Sequence, residues 1–446
     1  MASGALFAES NNGELTVYGS FDNLSSAMDT SIAGGAHLHT GLAGESGPVT
    51  FVVDGDLEAT LQSGTYGPDD NQFTMSATEQ ASLKARGLYA NLHTTNYGAG
   101  ELRAQLLPAA DQYYRAHLSG FNQPTPIATS ASGAIVLELS GESIVASGSF
   151  ANLSAALDTS IAGGAHLHNA AVGNNGIVSV ALDVAASANL LNGTIAAANN
   201  QFQLMPVEVE AMVEGELYTN VHSLNHPAGE IRGQVLPSPN FFPETPGIQT
   251  PSAGALFDVA IGNTLDVDFD MVNDPDGNEV VYHWQVAATD SFANPLLTTE
   301  ASTMATVDVA FNKLDTLLAN IGVAANDTLT VYHRALAGDG SLLTAGTALE
   351  VTLVRGIPTS IATAGTQSWT LYPNPTTRQA TLEVRGVEGS GQVRVLNIRG
   401  QVVYQRALQW ADNQRITLPV EELSAGMYMV ELRGEDWQAT ETLQVQ

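Results

Sequence analysis

Short runs of alternating apolar and polar residues recur along most of the chain. Segments such as Glu14-Leu15-Thr16-Val17-Tyr18-Gly19-Ser20-Phe21 and Val49-Thr50-Phe51-Val52-Val53 are rich in β-branched and aromatic residues and bounded by Gly, Asn and Asp, which predicts strands joined by tight turns. Only Ser76 to Ala85 and Pro206 to Val213 read as brief helices. Many strands at close spacing, without intervening helices, predict an all-β chain of tandem antiparallel sandwiches.

The pattern is also duplicated. Residues 2–108 return without gaps as 131–237, and Gly34-Gly35-Ala36-His37-Leu38-His39 recurs unchanged as Gly163-Gly164-Ala165-His166-Leu167-His168. One fold used twice is the simplest reading. The second copy opens with a strand, Tyr113-Tyr114-Arg115-Ala116-His117-Leu118-Ser119-Gly120, whose counterpart in the first copy would precede Met1. The chain therefore reads as a fragment of a longer precursor, and the missing signal peptide as truncation.

The Pro-rich run from Pro237 to Pro246 marks a linker, and β patterning resumes from about Gly254 to Val354 with one Trp in a central strand, Trp284. That suits an immunoglobulin-like or fibronectin-like sandwich. A Thr/Ser/Ala/Gly linker, Pro358 to Ser368, precedes a last small sandwich. The expected domains are 1–108 (without its first strand), 109–237, 247–356 and 366–446, joined by Pro/Thr/Ser linkers.

Composition narrows the chemistry. The net charge is −31, and because residues 355–446 nearly balance eight Arg against nine Asp and Glu, almost all of it falls on the first three quarters. Nucleic acid and anionic membranes are poor partners for such a surface. Without cysteine, thiol catalysis, disulfides and thiolate metal sites are excluded, leaving His and carboxylate as ligands. No apolar run is long enough to predict a membrane span. Phosphate loops, nucleophile elbows and His-Glu-x-x-His helices are missing, so NTPase, esterase and zincin chemistry have no basis.

Two family resemblances follow from motifs. Residues 366–446 carry Leu371-Tyr372-Pro373-Asn374-Pro375, then Asn397-Ile398-Arg399-Gly400-Gln401, then Ser424-Ala425-Gly426-Met427-Tyr428. In that order they resemble the type A sorting domain of the Bacteroidota type IX secretion system. The resemblance implies that the type IX machinery is a partner and that the protein is secreted or attached at the cell surface. Residues 1–237 resemble two chordin-type (CHRD) domains, through the Gly-Ala-His-Leu-His element, Tyr89-Ala90-Asn91-Leu92-His93 with Tyr218-Thr219-Asn220-Val221-His222, and Ala99-Gly100-Glu101-Leu102-Arg103 with Ala228-Gly229-Glu230-Ile231-Arg232.

Alternation puts His37 and His39 on one strand face with Leu38 on the other. A hairpin over Leu88 to Leu107, taken as symmetric about Gly98, sets His93 opposite Arg103 and Asn91 opposite Gln105. Each repeat then offers three imidazoles with an open position, which suits copper or zinc: His37, His39 and His93, and again His166, His168 and His222. His226, in place of Tyr97, reads as decoration of the hairpin turn, with a role as an additional ligand as the alternative. The arrangement resembles the copper half of Cu/Zn superoxide dismutase, which would make Arg103 and Arg232 anion-guiding or supporting residues. It departs from that family in lacking both its cysteines and its zinc subsite. The turn Asp274-Pro275-Asp276-Gly277-Asn278 reads as a tight turn, with weak calcium binding at Asp274 and Asp276 as the alternative.

The reading is an exported binding or adhesion protein, non-catalytic, that meets an extracellular protein or glycan and whose repeats hold metal. The alternatives are a copper-dependent redox enzyme and a purely structural scaffold.

Overall fold

The computed structural model describes residues 2–260, 264–356, 368–411, 413–434 and 438–446. The chain forms two compact units. One comprises Met1–Pro243, Asn273–Val281 and Gly338–Leu343, and the other Glu244–Val272, Tyr282–Ala337 and Thr344–Gln446. The linker read from Pro358 lies outside the described residues up to 367.

In the first repeat, one sheet runs Ser3–Asn11, Glu14–Asp22, Gly64–Tyr66, Asp56–Leu57, and the other Val49–Val52, Ala36–Thr40, Leu88–Leu92, Leu102–Gln105, all antiparallel. The core is built from alternate residues: Leu15, Val17 and Phe21 from one sheet, and Leu38, Leu88 and Leu92 from the other. A capping box at Ser76 and Glu79 starts the helix Ala77–Lys84, and the second helix is Pro206–Val213, with Pro at its first turn.

The second repeat has the extra strand, Gln112–Ser119. It pairs along its length with Ser132–Ser140 and reaches His226–Gln234 through Ser119 opposite Arg232, merging the two sheets into one of eleven strands. The two copies differ in burial. Six consecutive residues of Ser132–Ser140, Ala134 to Leu139, are buried, whereas the matching Ser3–Asn11 is exposed at every position but Leu6. The repeats also touch one another, through Ala43 against Ala134 and Val136 and through an ion pair in which Arg86 donates twice to Glu138, at 2.8 and 2.9 Å.

In the second unit, Trp284 lies fully buried in Val281–Ala287, an interior strand of a six-stranded sheet, and its neighbour Tyr282 stacks on Phe269 of a three-stranded one. The β pattern read for this region misses a helix, Phe311–Asn320. Its buried Phe311, Leu314 and Leu318 follow helical spacing, but the strands on either side masked it. Residues 368–446 form a three-stranded and a four-stranded sheet over a core that includes Leu382, Val395, Trp410, Leu418 and Leu432.

Candidate metal centre

The strand Ala36–Thr40 lies beside Leu88–Leu92 in a register that sets His37 opposite Asn91 and His39 opposite Tyr89. The second repeat repeats it with His166 opposite Asn220 and His168 opposite Tyr218. Leu38 and Leu167 enter the core, so the imidazoles occupy the outer face, which loops cover. His93 follows directly after its strand and is held by its backbone. Its N–H donates to Gly35 O at 2.8 Å and its C=O accepts from Asp29 N at 3.0 Å; His222 is held in the same way by Gly164 and Asp158.

All six rings are buried. Each is oriented by one hydrogen bond to a backbone carbonyl. His37 Nε2 donates to Ile32 O at 2.7 Å, His39 Nδ1 to Gly47 O at 2.9 Å and His93 Nδ1 to Gly98 O at 2.9 Å. In the second repeat, His166 Nε2 donates to Ala162 O, His168 Nδ1 to Gly176 O and His222 Nδ1 to Pro227 O, at 3.0 to 3.1 Å. A carbonyl can only accept, so these nitrogens carry the protons and the other nitrogen of every ring presents a lone pair. Those second nitrogens are His37 Nδ1, His39 Nε2 and His93 Nε2, and then His166 Nδ1, His168 Nε2 and His222 Nε2. All but His93 Nε2 lack a hydrogen-bond partner. In each repeat one ligand atom from each ring lies within 4.8 Å of the other two.

Buried lone pairs without donors, two in the first repeat and three in the second, cost free energy. Protons do not relieve it at neutral pH, because burial pushes His37, His166, His168 and His222 below the ordinary imidazole range, His168 to about 4. A metal cation would. Three nitrogens bound to one ion at about 2.0–2.1 Å sit roughly 3.3–3.6 Å apart, so a shift of about 1 Å would close the rings on it. Neutral imidazoles held by carbonyls on their far side are the usual support for such ligands.

The cover is pinned from the same face. Tyr89 stacks on His39, ring centroids 4.9 Å apart, and its hydroxyl accepts the N–H of Gly47, whose carbonyl orients His39. Tyr218, His168 and Gly176 repeat this. Glycine is required there, since a Cβ at Gly47 would meet Thr40 O at 1.5 Å and one at Gly176 would meet Asn169 O at 1.8 Å. The guanidinium of Arg103 lies 3.5 Å from the Tyr89 ring centroid and that of Arg232 3.4 Å from the Tyr218 centroid. Arg103 Nη2 donates to Leu42 O, and Arg232 donates to Asn174 O and Ala171 O. Gln105 and Gln234 add bonds to Gly41 O and Ala170 O. Both arginines therefore clasp the loop that bears the orienting glycine.

The hairpin register differs from the one expected. Asn91, not His93, lies opposite Arg103, and Tyr89 lies opposite Gln105, so the pairing is symmetric about Tyr97. The strand Leu88–Leu92 ends before His93 and the turn is longer than a Gly-centred one. In the second repeat Arg232 correspondingly faces Asn220. His226 stands at the hairpin turn opposite Ser223 and outside the group of three. Tyr89, Tyr218 and the buried Glu230 were not singled out from sequence, although each lies inside a repeated motif. Glu230 accepts from Ser154, Thr129 and Ser223, tying three segments together.

A family model described as the CHRD domain matches residues 1–106 and 114–235. One described as a secretion system C-terminal sorting domain matches residues 370–446, which marks an exported protein. Among curated proteins, none matches the chain. Similar solved structures include chicken CNTN1 FN1-FN3 domains (9% identity, 71% of this chain and 95% of that one, TM-score 0.21). Another is the BSP domain of a biofilm associated protein (12%, 99% and 96%, 0.16).

Proposed function

We propose, for a chain that belongs to the CHRD domain family and carries that domain twice, that each copy holds one copper or zinc ion on its three imidazoles. The protein works outside the cell, delivered by the type IX secretion machinery through its C-terminal domain. The observation that carries the metal reading is the set of inward nitrogen lone pairs, buried and fixed by backbone carbonyls. A donor set of three imidazoles without carboxylate or thiolate suits copper and zinc better than magnesium or calcium.

The reading is a binding module rather than a redox enzyme. Arg103 gives one donor and Arg232 two to loop carbonyls, and both lay their faces on tyrosine rings, which favours a loop-holding role over a guide for anionic substrate.

Titration of metal-free full-length protein with Cu(II) or Zn(II), followed by calorimetry and elemental analysis, tests this. Two ions per chain are expected, with one lost in His37→Ala/His39→Ala, one in His166→Ala/His168→Ala, and both in the combined variant. Binding that is unchanged in the combined variant would remove the proposal. Dismutation of superoxide far above the rate of free copper would replace the binding reading with the enzymatic one.

A further inference from the structure

A second kind of cation site lies in the same unit, away from the histidines. Three segments meet there: Asn240 in the linker, the turn Asp274 to Asn278, and the turn Asp339 to Leu342. Asp274 is 7% exposed and Asp339 1%. Asp274 Oδ1 accepts the N–H of Asp276 at 2.9 Å and of Asn278 at 3.4 Å, whereas its Oδ2 is buried without a hydrogen-bond partner. Asp339 Oδ1 accepts from Ser341 N and Leu342 N, both at 2.6 Å, and its Oδ2 from Asn240 Nδ2 at 2.7 Å. Asn240 Oδ1 in turn accepts from Asn278 Nδ2 at 2.7 Å, and Asp276 Oδ2 from Phe241 N at 2.6 Å.

Among the described residues, no Lys, Arg or His forms an ion pair with Asp274, Asp276 or Asp339. Burial and then the neighbouring Asp274 charge push Asp339 up to about 6, so at neutral pH two desolvated carboxylates lie in one cluster, linked through Asn240 and Asn278. An unpaired carboxylate oxygen in such a place is costly unless a cation meets it.

We propose that Asp274 and Asp339 hold a calcium ion, with the side-chain oxygens of Asn240 and Asn278 as further ligands. Every candidate ligand is oxygen, the chemistry of a hard cation, and irregular turns suit calcium's flexible coordination better than magnesium's strict octahedron. The ion would join the Pro-rich linker to both turns. The site is independent of the histidine reading. Asp339, remote in sequence from the Asp-Pro-Asp-Gly-Asn turn, supplies the second buried carboxylate that the turn alone lacks.

Calcium titration of chelator-treated full-length protein tests it, by calorimetry and by thermal unfolding. One calcium with a dissociation constant of about 0.1–1 mM is expected, the range of extracellular modules, together with a rise in unfolding temperature. Asp274→Asn should weaken binding by about tenfold or more through lost ligand charge while leaving zinc or copper uptake at the histidines unchanged. In calcium-free buffer the same variant should be no less stable than the wild type, because it relieves repulsion. Wild-type protein that shows neither heat nor a shift with calcium would overturn the proposal. So would an equal response to magnesium, or undiminished binding by a folded Asp274→Asn variant.

Discussion

Gln123 donates its side-chain amide to Asn220 Oδ1 at 2.8 Å, and this bond distinguishes the two histidine sites. Asn220 then gives its own amide to Ala228 O, and His222 Nε2 is left free. In the first repeat the equivalent Asn91 Nδ2 makes the matching bond to Ala99 O, also at 3.0 Å, but without a Gln123 counterpart on its oxygen it lies 3.3 Å from His93 Nε2 as well and competes for the lone pair a metal would use.

The second site should therefore bind metal more tightly than the first. Gln123→Ala should cost the second site about 1 kcal/mol, roughly fivefold, the worth of a neutral hydrogen bond. Competitive titration on the His37→Ala/His39→Ala background reads this site alone, and an unchanged constant would count against the distinction.

Tyr218→Phe removes the hydroxyl that accepts the Gly176 N–H while keeping the ring on His168. Metal affinity at the second site should fall about tenfold, as for other supporting partners of histidine ligands, with stability reduced by about 1 kcal/mol. Gly176→Ala should be more damaging, because its Cβ collides with a backbone oxygen rather than a movable side chain. Chemical denaturation and metal titration of both variants provide the comparison.

Glu230→Ala should destabilise the first unit by about 3 kcal/mol or more, because it strands the donors of Ser154, Thr129 and Ser223 in a buried place. Burial pushes this carboxyl up, but the hydrogen bonds from Ser223, Thr129 and Ser154 outweigh it and hold its pKa below the usual range. Its folded-state pKa is depressed, so its contribution is present at neutral pH and is lost as pH falls through that lowered value. The acid limb of the unfolding curve should flatten in Glu230→Gln.

In the second unit, Trp284 Nε1 donates to His333 Nδ1 at 3.0 Å, which keeps that imidazole neutral, and burial lowers it to about 4. The unfolded chain takes up the proton first, near pH 6.5, so stability is full above that value and declines down to about pH 4. The loss amounts to about 3 kcal/mol for this residue, at 1.36 kcal/mol per pH unit. Urea unfolding followed by tryptophan fluorescence at neutral and acid pH measures it. His333→Gln, which still accepts from Trp284, should shrink the difference.

The sequence by itself determined the strands, the duplication and the common face of the histidines. Those depend on local alternation and on self-similarity, both of which a linear pattern records. His37 and His39 share a face because successive strand residues point to opposite sides. Only the tertiary structure decided which ring nitrogen is free, because that depends on carbonyls of Ile32, Gly47 and Gly98 brought in by loops. It also decided that Arg103 pairs across from Asn91, since turn length sets hairpin register, and that Asp339 joins the Asp274 turn through Asn240, since long-range pairing of turns leaves no periodic trace.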